Sequence, residues 1–300
     1  MFHKITLIIF GLLLIIFAIF FASAIDNTQN NGTITSLENN IKKLIPYRFS
    51  KNKSSANRSQ KVPILMYHYV RSVDKSTDPT GWSLSVTPEN FALQLSYLKS
   101  QNYQTLSFED IDYLIENKQN FPENPIILSF DDGYKDFYEN AYPILKTNNF
   151  SATVFMIGGK INQDNYLSAD QIKILDNYGI EFGLHTQTHI NMTNASDSNI
   201  IKELSENSNI LQSITSKYSN ILAYPSGQFD QNLIDLIEKS EIKYGLTTVE
   251  QIADFSVHNP LILPRLRVRG STTLEKFKEL LNNTNSYLIV PTTSTNQIQN

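Results

Sequence analysis

The stretch Pro125-Ile126-Ile127-Leu128-Ser129-Phe130-Asp131-Asp132-Gly133-Tyr134 constrains this chain more than any other. A short apolar run bounded by turn signals reads as a buried strand, here one that ends in two adjacent acids and a glycine. Neighbouring side chains on a strand point to opposite faces, so Asp131 and Asp132 cannot address one point from within regular β structure. At the strand's end Gly133 lets the chain turn, and both carboxylates can converge on a common centre if a cation offsets their repulsion. An ordinary Asp-Asp-Gly turn is the plain alternative.

A second feature lies fifty residues on, where a strand-like Ile180-Glu181-Phe182 runs into Gly183-Leu184-His185-Thr186-Gln187-Thr188-His189. The chain has only five histidines, and two of them fall here at i, i+4. That spacing places both imidazoles on one side of a helical turn, where they can grip one ion. Either histidine alone reads as an ordinary core or surface residue. Two neutral imidazoles and one carboxylate form a three-ligand site with an open position for water, the arrangement of a catalytic zinc rather than a structural one. The Asp pair supplies that carboxylate and leaves one acid over as a base.

These residues carry a family resemblance. Ser129-Phe130-Asp131-Asp132-Gly133 resembles the first motif, and His185-Thr186-Gln187-Thr188-His189 the second, of the polysaccharide deacetylases of carbohydrate esterase family 4, the NodB-homology domain. The resemblance runs from about residue 62 to about residue 270. It implies a distorted (β/α) barrel, TIM-like and seven-stranded, a divalent metal, and removal of N-acetyl groups from amino sugars. Met66-Tyr67-His68 resembles the opening of the branch that acts on exported poly-N-acetylglucosamine.

The length of 300 residues, 41% hydrophobic, suits one large domain with extensions. Residues 1–24 stand apart: Lys4 precedes a 17-residue apolar run from Ile5 to Phe21, and Ala22-Ser23-Ala24 fits a small-x-small cleavage pattern. They read as an export signal or N-terminal membrane anchor, so membrane association through residues 5–24 and an exported, periplasmic, cell-surface or secreted location are expected. Residues 25–60 are rich in Asn, Ser, Thr and Lys and read as a flexible spacer, residues 61–283 as the deacetylase barrel, and residues 284–300 as a polar tail. Cysteine is absent, which excludes disulfides and thiolate ligands. The net charge of -4, without a basic cluster, argues against nucleic acid.

Along the domain, strand and helix patterns alternate as an α/β architecture requires. Thr87 and Pro88 open a helix with Phe91, Leu95 and Leu98 on one face, Ser168 and Gln171 form a capping box, and Thr272 with Glu275 forms another at the last helix. Ile221 to Gly227 is a strand running into a turn, and it resembles the family's third motif with two departures. Ala223 stands where arginine is usual, and Ser226 where an aromatic is usual. In Leu263-Pro264-Arg265-Leu266-Arg267-Val268-Arg269, alternation puts three arginines on one face, as a solvated edge strand would. The family branch carries a Pro-Arg element here, which makes Arg265 the candidate for the guanidinium that Ala223 does not supply.

The resemblance then implies the roles. Asp132, His185 and His189 hold a divalent cation, Zn²⁺ first with Co²⁺ or Ni²⁺ as alternatives, and Asp131 acts as base. Arg265 holds Asp131 ionised, while Tyr134, Pro225 and the backbone N–H of Ser226 serve substrate and oxyanion. The family's Leu-x-His is missing, so His68, at the carboxyl end of the first strand, is the candidate acid, followed by His258. The expected substrate is an exported or cell-surface N-acetylated polysaccharide, first poly-β-1,6-N-acetylglucosamine. Peptidoglycan, a chitooligosaccharide or a lipid-linked amino sugar is the alternative, and a non-catalytic carbohydrate-binding module on the same barrel is the alternative of another class.

Overall fold

A computed structural model describes residues 60–282. The expectations for residues 1–24, for the spacer up to residue 59 and for the tail at 284–300 fall outside them. Among the described residues no helix is long and apolar enough to cross a membrane.

Strand β1 (Ile64–Tyr67) is followed by α1 (Pro88–Ser100) and α2 (Phe108–Glu116), then by β2 (Pro125–Phe130) and α3 (Tyr142–Asn148). The alternation continues with β3 (Thr153–Met156), α4 (Ala169–Tyr178), β4 (Glu181–Leu184), α5 (Asp197–Thr215), β5 (Ile221–Ala223), α6 (Gln231–Ile237) and β6 (Tyr244–Leu246). Strand β7 (Leu266–Arg267) and helix α7 (Leu274–Asn282) complete it. The seven strands are parallel and ordered β6-β5-β4-β3-β2-β1-β7.

The curl closes through the segment that leads into β7. Leu263 donates to Gly245 O at 2.7 Å, Thr247 to Leu263 O at 2.9 Å, and Arg265 to Val249 O at 2.9 Å, while Arg267 pairs with Met66 of β1. A distorted seven-stranded (β/α) barrel results, as expected. The alternating arginines are therefore not a solvated edge: the segment is flanked on both sides, and Arg265 is fully buried.

The pleat divides the strands as period two demands. Leu65 and Tyr67 of β1 and Leu128 and Phe130 of β2 face outward into the helix layer, where Tyr67 meets Phe91 edge-on at 5.4 Å and Phe130 meets Phe137 at 4.8 Å. Phe91, Leu95 and Leu98 of α1 are wholly buried against them, and each such side chain contributes about 2–3 kcal/mol of burial. The opposite parity, Ser129 and Asp131 with Arg265, is left for the barrel interior.

Local signals position the helices. Thr87 caps α1 with Pro88 at its first turn, and Ser168 and Gln171 make a reciprocal capping box on α4, whose end is Gly179 at φ 105°. The last helix departs by one residue from the expected cap. Thr273, not Thr272, accepts from Lys276 N at 3.3 Å, because the Thr272 hydroxyl is already engaged by Arg269 N at 2.9 Å.

Candidate metal centre and active site

Strand β2 stops at Phe130, but Asp131 N still donates to Tyr67 O at 3.0 Å, which holds this residue in register with β1. The chain then takes two consecutive left-handed residues, Asp132 at φ 74° and Gly133 at φ 75°. Glycine suits position 133, where the left-handed φ strains any side chain and a Cβ would also press on the end of Met156, 2.4 Å from its Sδ. Left-handed backbone at a non-glycine residue costs on the order of 1–3 kcal/mol and persists only where its surroundings impose it. This turn brings the second carboxylate round to the same side as the first.

Asp131 is gripped by Arg265, whose Nη1 and Nη2 donate to its two oxygens at 2.7 and 2.8 Å. The guanidinium also donates from Nε to Thr247 O at 2.9 Å and from Nη1 to Ser129 Oγ at 3.3 Å. Burial pushes the Asp131 carboxyl up, but the Arg265 charge and its bonds, reinforced by His185 and His68, hold it well below the usual carboxylate range. Burial also raises Asp132, and the bond and charge of His185 more than offset it.

The histidine pair does not ride on a helical turn. His185 follows β4, and Thr186 and His189 are both left-handed at φ 61°, so the segment is an irregular loop. Its shape is imposed from α5: Glu203 accepts from Thr188 N and from Thr188 Oγ1, both at 2.8 Å, and Asn207 Oδ1 accepts from His185 N at 3.0 Å. Glu203 and Asn207 are buried, and sequence reasoning missed them. Their signal was two polar residues at i, i+4 interrupting the apolar face made by Ile200, Leu204 and Leu211.

The imidazole tautomer follows from one contact. His185 Nδ1 lies 2.7 Å from Ala223 O, a group that can only accept, so Nδ1 carries the hydrogen and Nε2 presents its lone pair. That Nε2 is 3.4 Å from Asp132 Oδ1, and His189 Nε2 is 3.6 Å from the same oxygen. The ligand atoms of Asp132, His185 and His189 all fall within 4.8 Å of one another. Ligands bound tetrahedrally at ~2.0–2.1 Å stand roughly 3.4 Å apart, so the spacing fits one small divalent ion. Burial lowers His185, yet its bond to Asp132 and the charges of Asp131 and Asp132 raise it overall, whereas burial and the neighbouring His185 lower His189.

His68 comes directly after β1, and burial lowers its pKa against the opposing pull of Asp131 and Asp132. Arg265 and Arg267 also lower it, so the second arginine of the alternating run reaches the same neighbourhood. Tyr134 stacks on Tyr69 with ring centres 3.8 Å apart, and burial first, then the nearby Asp132 charge, raises both phenols. Pro225 is buried, and Ser226 is an exposed left-handed residue at φ 58° in the turn just beyond the Ala223 carbonyl that holds His185.

His258 is elsewhere. Its Nδ1 accepts from Asp254 N at 3.0 Å, and Asp254 pairs with Lys61, ahead of the start of β1. Lys61 and His68 bracket the strand from opposite ends, which at about 3.3 Å per residue separates them by roughly 20 Å. Asp131, Asp132, His185, His189, Arg265 and His68 are thus brought together at the carboxyl ends of the strands, and His258 is left at the other end of the barrel.

A parallel barrel whose strand ends carry a carboxylate and two imidazoles around one point, beside a second carboxylate clamped by arginine, is the scaffold of a hydrolase-type site. Comparison with known proteins gives the family: a model described as polysaccharide deacetylase matches residues 118–245. YxkH of Bacillus subtilis, a polysaccharide deacetylase by name, is 30% identical over 63% of this chain and 64% of its own length, so the chain spans less than two thirds of that relative. Poly-beta-1,6-N-acetyl-D-glucosamine N-deacetylase of Staphylococcus aureus is 30% identical over 61% of this chain and 68% of its own length. Among solved structures, the Streptococcus pyogenes deacetylase PplD, in complex with acetate, superposes with a TM-score of 0.69 at 29% identity, covering 75% of this chain and 99% of that one. The chain belongs to the polysaccharide deacetylase family.

Proposed function

We propose that this protein is a metal-dependent hydrolase that removes N-acetyl groups from N-acetylglucosamine units of a polysaccharide outside the cytoplasm, and that the polymer is β-1,6-linked. The observation that carries the reading is the pairing of an ion-sized Asp132, His185 and His189 cluster with an Asp131 that Arg265 keeps ionised. The choice of linkage is supported by the likeness to the Staphylococcus aureus enzyme. The export reading of residues 1–24 agrees with a substrate on that side of the membrane.

Asp132, His185 and His189 would hold the ion, Zn²⁺ as first choice given two imidazoles and a carboxylate. When bound, such an ion acidifies a coordinated water and polarises the amide carbonyl. Asp131 accepts the proton of the attacking water, for which it must be ionised at neutral pH, and the two bonds from Arg265 secure that state and fix the carboxylate's plane. The Ser226 N–H, presented by a left-handed turn next to the carbonyl that orients His185, donates to the developing oxyanion. His68 delivers a proton to the departing amine, and Tyr134 borders the substrate.

The test is release of amine and acetate from defined β-1,6- and β-1,4-linked N-acetylglucosamine oligomers, with and without chelator. Chelator-sensitive release from the β-1,6 series is expected. Preference for the β-1,4 series would transfer the reading to peptidoglycan or chitin-like substrates, and binding without release to a carbohydrate-binding module.

A further inference from the structure

Two side chains just past the catalytic turn reach back to the strand end that carries His68. Asp136 accepts from Val70 N, and Asn140 Nδ2 donates to Val70 O at 2.8 Å. The N–H and C=O of one strand residue point to the same side, so this pair stands in for a neighbouring strand at Val70. Val70 is buried, and without them both of its backbone groups would need other partners.

Asp136 and Asn140 can share the task because the chain between them is helical, which brings residues four apart to one face. Phe137–Ala141 is a single π-helical turn, with Tyr142 N donating to Phe137 O. Pro143, just beyond it, has no N–H with which to continue an ordinary α-helical ladder. Such turns are uncommon and recur at functional sites.

Further contacts join the same two segments. Tyr69 stacks on Tyr134, and Arg71 places its guanidinium 3.6 Å over the centre of the Tyr69 ring. On the other side of His68, Tyr67 O accepts from Asp131 N at 3.0 Å. His68 therefore sits between anchors at Tyr67 and Val70. Both are held by residues 131–140, the stretch that also bears Asp131 and Asp132.

A carboxylate is a costly choice for capping one amide. Burial raises the Asp136 carboxyl from 3.8 to about 6, and a neutral acceptor would hold Val70 N with no charge to desolvate. A group kept at a cost in stability, in the segment that bears the reacting acids, points to a task beyond holding the fold. We propose that Asp136 and Asn140 are positioning residues for His68: together they fix Val70, and through it the distance from the imidazole to the departing amine. The proposal rests on the reading of His68 as the acid. Proton transfer needs donor and acceptor within about 2.6–3.2 Å, so a shift of about 1 Å at this strand end is enough to slow it.

The experiment measures kcat of the full chain on an N-acetylglucosamine oligomer and on an aryl acetate, whose leaving group needs no proton, together with bound metal. Asp136→Ala and Asn140→Ala should each lower kcat on the amide by about 10- to 100-fold, short of the loss in His68→Ala, with ester turnover and metal nearly unaffected. Either substitution should add almost nothing in a chain that already carries His68→Ala, since no imidazole is then left to place. Asp136→Asn, which keeps an acceptor for Val70 N, should recover most of what Asp136→Ala loses. Asn140→Ala, at a partly exposed residue, carries the test if Asp136→Ala does not fold. A selective loss on the amide in His68→Ala, joined to equal loss on both substrates in the Asp136 and Asn140 variants or to additive losses in the double variants, overturns the positioning role alone. Equal loss on amide and ester in His68→Ala overturns the acid reading, and the positioning role with it.

Discussion

Arg265 meets Asp131 from across the barrel with both terminal nitrogens, at 2.7 and 2.8 Å, and neither side chain is more than 4% exposed. Taking one partner from a buried ion pair leaves an uncompensated charge in a poorly solvating interior. Arg265→Met should therefore destabilise the fold by about 3–5 kcal/mol, measured by denaturant unfolding, as well as abolish turnover. Arg265→Lys restores charge without the two-pronged geometry, so stability should return further than activity does. Equal stability of Arg265→Met and wild type would refute the pairing.

The two acids should separate cleanly. Asp132→Asn, His185→Ala and His189→Ala should each lose most of about one bound divalent ion per chain, read by elemental analysis, because each weakens or removes one of the three proposed ligands. Asp131→Asn should keep the ion and lose nearly all turnover. Exchanged phenotypes for Asp131 and Asp132 would reverse their roles.

His68 is assigned to the leaving amine, a step that needs a proton on nitrogen. A general acid contributes ~10²–10⁴-fold, so His68→Ala should lower kcat on an acetamide by about that factor while metal content stays intact. An activated ester, whose leaving group needs little help, should suffer far less. Equal losses on amide and ester would make His68 a positioning residue.

Glu203 holds the histidine loop through Thr188, and it is buried while doing so. Glu203→Gln keeps an acceptor but gives up the charge-assisted bonds, and changes in groups that orient metal ligands typically cost ~10–100-fold in affinity or activity. Competition with a graded chelator should show a weaker site in Glu203→Gln and a weaker one still in Glu203→Ala. Unchanged metal affinity in both would leave Glu203 a purely structural residue.

Asp136 gives a pH prediction of defined sign. Burial raises its pKa from 3.8 to about 6, although Val70 N donates to its carboxylate and Arg71 lies near. Between these values the folded chain holds more protons than the unfolded one, so this group's contribution falls as pH rises from about 4 to about 6 and is flat above. Asp136→Asn, which keeps an acceptor for Val70, should remove that slope and add up to about 3 kcal/mol at pH 7. Parallel stability curves for variant and wild type across this window would rule the effect out.

What could be read in advance, and what could not, divides along physical lines. The carboxylates and histidines were legible because metal chemistry demands particular residue types at short separations, as in Asp131-Asp132 and His185 with His189. The helix starts at Thr87 and Ser168 were legible because capping is local. The loop conformation at Thr186 and His189 was not, because a tertiary partner on α5 imposes it and i, i+4 spacing carries no trace of positive φ. The position of His258 escaped for the same reason: only strand pairing between Lys61 and Asp254 sets it at the far end of the barrel.

The segment that closes the barrel is also the one that carries Arg265, and this ties competence to the order in which the chain is made. By residue 189 a growing polypeptide already holds both acids and both histidines, but Asp131 still lacks the guanidinium that offsets its burial and fixes its plane. That partner arrives only with the segment that bridges the sixth strand at Leu263 and pairs with the first at Leu266 and Arg267. Fragments that end before residue 265 therefore carry the paired acids and both histidines without the partner that clamps Asp131. Closing the cylinder and completing the Asp131 clamp are one and the same folding event.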